Sequence, residues 1–235
     1  MALKNIKDQL KETQSALHIF STHINSRKDI ERLHRGNLFN RRFSAMLSSY
    51  DNFETVGLRL ERTILQYQIL ERKIQYEMRD KRDIPDELQP LMKEANRFGR
   101  ENQADFKSLY IFAKIFLDEF TALFGFIHNW RGISSGSITS FYNSVTNYTG
   151  EDEKVLAFKS ICLGRLKAAD VFVTQYRDTH IVHDQTEHKE TRWFLNDMRG
   201  GIRFIGGRPS VTPIELVFVA AGYVADTIDY TKKHL

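Results

Sequence analysis

Residues 91–129 read LMKEANRFGRENQADFKSLYIFAKIFLDEFTALFGFIHN and contain no proline and only two glycines. Apolar side chains recur there at steps of three and four, which is the spacing of one face of an α-helix. They are Leu109, Phe112, Phe116, Phe120, Leu123 and Ile127. A phenylalanine-rich face at this spacing is typical of a helix that packs on a protein core. The stretch therefore predicts one long helix with a buried face.

A second long helix is predicted upstream, over residues 52–79. Its apolar seam follows the same spacing: Val56, Leu60, Ile64, Tyr67, Leu70, Ile74 and Met78. We expect this seam to pack on another helix, in the same chain or in a second copy. Residues 2–35 predict one or two polar helices with a thin apolar stripe, and Gly36-Asn37 predicts a break after them.

The chain downstream of residue 129 predicts further helices. Residues 137–148 form a short one. The next begins near Asp152 and runs into residues 176–184, and its sequence is apolar nearly all round, which is typical of a central, buried helix. Between residues 185 and 210, Trp193-Phe194-Leu195 either closes a short helix or opens a short hairpin or loop at about 190–208.

The last predicted helix has a clear start. Thr212 is its N-cap, Pro213 occupies its first position, and Glu215 completes a capping box. This helix is expected to run to about Lys233.

Prolines divide the helical pattern once. Pro85 and Pro90 follow the second long helix and mark the strongest candidate boundary in the chain. The sequence thus predicts an all-α fold, a bundle of long helices over residues 86–235 with an N-terminal helical extension over residues 1–85. A length of 235 residues suits one such domain with an extension.

Composition favours a cytoplasmic protein. The chain holds one cysteine, Cys162, so no disulfide can form within it, and a reducing compartment fits. The first eight residues alternate charged and apolar side chains and lack the apolar core of a signal peptide. The most apolar stretches, near 112–127 and 214–225, are too short or carry charges, so no membrane span is predicted.

The net charge of +4 is distributed unevenly. Part of the excess lies in six cations, namely Arg27, Lys28, Arg32, Arg35, Arg41 and Arg42, against Asp29 and Glu31. Such a patch attracts a polyanion or is the solvated face of a helix.

The sharpest functional signal is the segment Tyr176-Arg177-Asp178-Thr179-His180-Ile181-Val182-His183-Asp184. Charged groups at the end of a buried helix are costly unless they are paired or face a cleft. On an ideal helix Arg177, His180 and Asp184 share one face, whereas His183 lies about 120° away. Three β-branched residues lower the helix propensity here. We therefore expect the helix to loosen or end, which lets Arg177 and His183 turn towards one cleft.

The pattern Arg177-Asp178-(four residues)-His183 resembles the signature of the HEPN superfamily. Proteins of that superfamily are small helical bundles with an arginine, a polar residue after it, and a histidine four to six positions beyond the arginine. The wording Tyr-Arg-Asp-x-x-Ile-x-His-Asp is similar to members linked with abortive infection and toxin–antitoxin systems. The resemblance covers roughly residues 91–235 and leaves residues 1–85 unexplained.

This resemblance implies a metal-independent endoribonuclease that needs no cofactor and acts as a homodimer with facing motifs. RNA is then the substrate, and antiphage defence or a toxin–antitoxin pair, with a cognate antitoxin or partner protein, is the setting. Our hypothesis makes His183 the general acid/base, because histidine moves protons near neutral pH. Arg177 neutralises the phosphate with its forked donors, and Asp178 positions one of the two. His180, Asp184 and Tyr176 are supporting candidates.

Cations also alternate with aromatic residues further along the chain. Arg192, Arg199 and Arg203 lie near Trp193 and Phe204. Such interleaving is suited to single-stranded RNA, and an ordinary surface loop explains it equally well.

Three other interpretations stand beside the nuclease. Arg177 and Asp178 could simply finish a helix, with His183 capping its carbonyls. The protein could be a non-catalytic all-α adaptor that binds a partner protein or nucleic acid through its long seam. A metal-dependent phosphohydrolase would use the cluster His180, His183, Asp184 and His188, with His128 as a further ligand, but no downstream carboxylate completes that set.

Overall fold

The structure, a computed structural model, describes residues 5–79, 85–175, 194–195, 202–203 and 213–235. The fold is all-α, as the hydrophobic periodicity predicts. The helices are α1 (Ile6–Ser26), α2 (Glu31–His34), α3 (Leu38–Met78), α4 (Gln89–His128), α5 (Ile138–Thr146), α6 (Glu153–Asp170) and α7 (Pro213–His234). Short 3-10 turns precede α3 and α4, at Arg35–Asn37 and Asp86–Leu88, and a π-helical segment, Val171–Gln175, follows α6.

Helices α3 and α4 form a long antiparallel hairpin. Tyr50 meets Phe116 near one end, with ring centroids 5.1 Å apart. Further along, Arg59 donates from Nε to Asp105 Oδ2 over 2.7 Å, and a second guanidinium nitrogen bonds the other carboxylate oxygen. The predicted seam from Val56 to Met78 therefore packs on α4 of the same chain.

The predicted break at Gly36-Asn37 is confirmed, because both residues have left-handed backbone angles, with φ of 57° and 59°. Helix α3 starts directly afterwards, at Leu38, and not at residue 52 as predicted. The buried stripe simply continues towards the N-terminus through Phe39, Phe43, Met46 and Tyr50. Those residues lie among serines, arginines and asparagines, which weakened the periodic signal.

The other helices pack around the part of the hairpin where Tyr50 meets Phe116. Helix α1 packs on α3 and α7, α7 also packs on α4 and α6, and α5 packs on α6. Buried apolar side chains from all seven helices belong to one cluster, which includes Ile6 of α1, Phe116 of α4 and Tyr223 of α7. The predicted division after residue 85 stays a prediction, although residues on both sides of it contribute to this cluster.

Side-chain caps define several helix starts. Asn5 Oδ1 accepts from Asp8 N over 2.8 Å at the start of α1, and Asp152 caps α6 by accepting from Lys154 N. Ser137 and Ser140 form a capping box on α5. Helix α7 begins at Pro213, as predicted, whereas the predicted N-cap, Thr212, lies outside the described residues.

Two very short strands pair in the region that the sequence left open. β1 (Phe194–Leu195) is antiparallel to β2 (Ile202–Arg203), with Phe194 opposite Arg203. Of the two options at Phe194-Leu195, the structure has the hairpin.

Nowhere in the described ranges is a helix both long and apolar enough to cross a membrane.

Candidate functional site

The predicted catalytic residues follow directly after a described part of the chain. Arg177, Asp178 and His183 lie outside the described residues, as do His180, Asp184 and Tyr176. The description ends at Gln175, two residues before Arg177. What the structure describes next to the motif in the chain is α6, the π-helical segment and the helices packed against them.

The π-helical segment Val171–Gln175 widens the backbone just before the motif. It contacts α4 and α7, and Val173 is fully buried. Single π-helical turns occur frequently at functional sites, where they re-aim the residues that follow. We expected loosening among the β-branched residues of 179–182, and in the structure the α-helix already gives way at Val171. The same signal was present earlier, since Val171, Val173 and Thr174 are also β-branched.

A buried carboxylate closes α6. Asp170, its last residue, is buried, and its Oδ1 accepts a hydrogen bond from Thr139 Oγ1 over 2.7 Å. Thr139 lies in the first turn of α5. This bond ties the end of α6, from which the motif leaves, to the start of α5.

An ion pair of α4 also contacts the start of α5. Lys114 Nζ of α4 donates to both oxygens of Asp118, over 2.6 Å to Oδ1. Asp118 Oδ1 also accepts from the backbone amide of Ile138 over 2.8 Å, which satisfies a free N–H at the start of α5. Ile138 precedes Thr139, so the start of α5 links a carboxylate of α4 to one of α6.

We call Lys114, Asp118, Thr139 and Asp170 the polar cluster. Its two carboxylates and one ammonium group are held among the helices that surround the end of α6. In the sequence, Lys114 and Asp118 belong to the charges that interrupt the apolar stretch near 112–127. Their spacing of four residues on the core face of a helix was the signal that could have identified them. Chemically, the cluster provides fixed charges and a rigid base at the C-terminal end of α6.

His128, the predicted further metal ligand, lies at the opposite end of α6. Its Nε2 is 3.1 Å from Thr231 Oγ1, and its ring contacts Phe124 and Trp130. Trp130 in turn contacts Phe158 in the N-terminal half of α6, with ring centroids 5.4 Å apart. Burial in this aromatic cluster lowers the pKa of His128 to about 3. His128 is therefore part of the packed aromatic core.

Among the described residues, no three His, Cys, Asp or Glu side chains are grouped so that they could hold a metal ion. The predicted cluster of His180, His183, Asp184 and His188 lies outside those ranges. Of the predicted RNA-contacting arginines, Arg203 is described only as a backbone position in β2, and Arg192 and Arg199 are not described.

Comparison of the chain with protein-family models, with curated proteins and with solved structures found no match. The resemblance to the HEPN superfamily thus depends on the motif residues and on their place in the chain.

Proposed function

We propose that this protein is a metal-independent endoribonuclease of HEPN type that works as a homodimer in the cytoplasm, in antiphage defence or in a toxin–antitoxin system. The observation that carries the proposal is the pattern Arg177-Asp178-x4-His183, which begins two residues after a π-helical segment at the end of α6. The expectation that this helix is buried nearly all round is wrong, because α6 buries one face and exposes Leu156 and Ile161 on the other.

The chemistry needs few groups. The 2′-hydroxyl of a ribose attacks the adjacent phosphorus, its proton moves to a base, and the bond from phosphorus to the 5′-oxygen breaks. The products are a cyclic phosphate and a 5′-hydroxyl, which receives a proton. His183 exchanges these protons, Arg177 neutralises the phosphate oxygens, and Asp178 holds one of the two in place.

The polar cluster supports this proposal. A catalytic group must be held within a fraction of an ångström, which requires a rigid element beneath it. Asp170 is anchored by Thr139, and Asp118 is anchored by Lys114 and the Ile138 amide. The end of α6 is therefore fixed to the start of α5, which is itself fixed to α4, although charges at these buried positions are costly for folding.

Cleavage of a mixed RNA pool in EDTA tests the proposal. We expect wild type to cut and to leave cyclic-phosphate ends, whereas Arg177→Ala and His183→Ala lose activity by about 100-fold or more. The matched controls are Arg72→Ala and His18→Ala, which remove the same kinds of group from exposed positions and should cut normally. Undiminished cleavage by either motif variant would refute the assignment. Cleavage that needs added Mn²⁺ or Mg²⁺ would favour the phosphohydrolase interpretation.

One observation favours the second candidate, a non-catalytic adaptor. Four large apolar side chains of α3 are exposed on a face that α4 does not cover: Leu58 (37%), Leu65 (55%), Ile69 (67%) and Tyr76 (75%). Their spacing of seven, four and seven residues places them on one stripe of the helix. An adaptor would use this stripe, so Leu65→Gln with Ile69→Gln would abolish partner capture while Arg177→Ala would not. The reverse result would exclude the adaptor.

A further inference from the structure

The net charge of the chain is concentrated in one short segment. Residues 27–42, which we call the basic segment, hold six Lys or Arg and two acidic residues. Their balance of +4 equals the net charge of the whole protein, so the rest of the chain sums to zero. A surplus confined to one place creates a local positive potential that an evenly charged surface lacks.

Three of the six cations have structural partners. Arg32 donates to the backbone carbonyls of Phe126 and Ile127, at a distance of 2.6 Å for Phe126, and so caps the end of α4. The Arg42 guanidinium lies 4.8 Å from the centre of the Phe126 ring. Arg27 is bonded to Asp29 over 2.7 Å, which also removes one of the two acidic groups.

The other three cations have no such role. Lys28, Arg35 and Arg41 are exposed and form no ion pair with any residue that the structure describes. Arg131, also exposed and likewise unpaired among those residues, follows three positions after the end of α4. Because Arg32 fastens the basic segment to that same end of α4, these four cations lie at one end of the bundle. Folding of the described chain does not explain their charge.

We propose that the basic segment, together with Arg131, binds the phosphate backbone of RNA; the choice of RNA rests on the function proposed above. Arginine forks match phosphate oxygens, and each neutralised phosphate releases counterions, which drives binding. Leu38 is the only large apolar side chain exposed within the segment. The segment therefore offers little apolar area for insertion into a membrane surface. The sole aromatic ring of the segment besides His34 is Phe39, which is buried, so no platform for base stacking is present. The surface therefore binds the phosphate charges of RNA and does not distinguish base sequences.

This surface lies away from the C-terminal end of α6. The basic segment lies where α4 ends, and Trp130 connects that end to the N-terminal half of α6. The motif follows the other end of α6, whose 18 residues span about 27 Å at 1.5 Å per residue. The role proposed for the basic segment is affinity for RNA and not the chemical step.

The test compares two triple variants that remove equal charge. The first changes the proposed surface: Lys28→Gln, Arg35→Gln and Arg41→Gln. The matched control changes three exposed cations of α3 that form no ion pair within the described part of the chain: Arg62→Gln, Arg72→Gln and Lys73→Gln. Both are made in the Arg177→Ala/His183→Ala background, so that the RNA stays intact. Binding of a fluorescent single-stranded RNA is followed by anisotropy from about 50 to 200 mM salt, and circular dichroism melts check the fold.

We expect the surface triple to weaken binding about tenfold and to reduce the salt slope by about 2, since three phosphate contacts are lost. The control triple should change the affinity less than threefold and keep the slope. Equal losses in both triples, or RNA binding unaffected by the surface triple, would overturn the proposal. So would charge-dependent binding to anionic vesicles with none to RNA. Patch-dependent RNA binding by a wild type that never cuts RNA would support this inference and refute the nuclease.

Discussion

A buried histidine makes the stability of this protein depend on pH. His128 titrates at about 3 in the folded chain, against 6.5 for the free side chain. Between these values the unfolded chain binds a proton that the folded chain does not, so stability falls as the pH falls from about 6.5 towards 3. The slope contributed by one such group is at most about 1.4 kcal/mol per pH unit.

Replacing His128 with phenylalanine should remove this contribution. The aromatic contacts are kept, and Thr231 Oγ1 still donates to the Thr227 carbonyl over 2.9 Å. Urea denaturation at several pH values should therefore show a flatter profile for His128→Phe than for wild type below pH 6.5. The exposed His18→Phe serves as the control and should keep the wild-type slope. Parallel profiles for wild type and His128→Phe would contradict the prediction.

Two glycines should respond oppositely to alanine. A Cβ at Gly125 of α4 would lie 2.0 Å from Ser135 Oγ and 2.2 Å from its Cβ, so the loop after α4 must move. At Gly164 of α6 a Cβ would meet nothing within 4 Å. We expect Gly125→Ala to cost about 1–3 kcal/mol and Gly164→Ala to gain about 0.5–1 kcal/mol. Chemical denaturation measures both, and Gly125→Ala with Ser135→Gly should recover part of the loss.

At the scale of elements, the junction of α4, α5 and α6 depends on the Lys114–Asp118 pair. The Lys114 side chain is 7% exposed and that of Asp118 is 28% exposed. Asp118→Leu leaves a buried ammonium without its partner and also uncaps Ile138, so we expect a loss of about 3–5 kcal/mol. Lys114→Met leaves Asp118 with its amide partner and some water, and should cost less.

The double variant Lys114→Met/Asp118→Leu separates the pair from its surroundings. Because an apolar pair leaves no stranded charge, it should be more stable than Asp118→Leu alone. Urea denaturation of the four proteins completes the cycle. A double variant less stable than Asp118→Leu would show that the charges stabilise the junction through contacts beyond each other.

The predictable part of the fold was the part with regular periodicity. Residues 91–129 and α4 agree within two residues at each end, since a phenylalanine recurring every three or four positions leaves one face to bury. The start of α3 was missed because its core residues are separated by polar ones. The polar cluster was missed for a different reason. Lys114 and Asp118 are four residues apart on one helix, but Thr139 and Asp170 lie on two others, and the approach of the three helices follows from tertiary packing that no local pattern encodes.

At the scale of the whole molecule, two surfaces differ in kind. The end of the bundle around the end of α4 carries cations that folding does not use, whereas the outer part of α3 carries the exposed stripe from Leu58 to Tyr76. The buried residues of α3 end at Ile64, and beyond that point α3 packs mainly on α4 among the described residues. The basic segment and the exposed stripe thus involve different residues, so the RNA-binding and adaptor hypotheses can be tested with separate variants.

The packing of α1 on α7 has a consequence for folding during synthesis on the ribosome. Helix α1 is translated first among these elements, and α7, its main partner, last. Nearly 190 residues separate the end of α1 from the start of α7, which at 5–20 residues per second means a wait of roughly 10–40 s. The α3–α4 hairpin needs no such delay, because its halves are neighbours in the chain. The nascent protein should therefore assemble from the middle outwards, with α1 docking as the closing event.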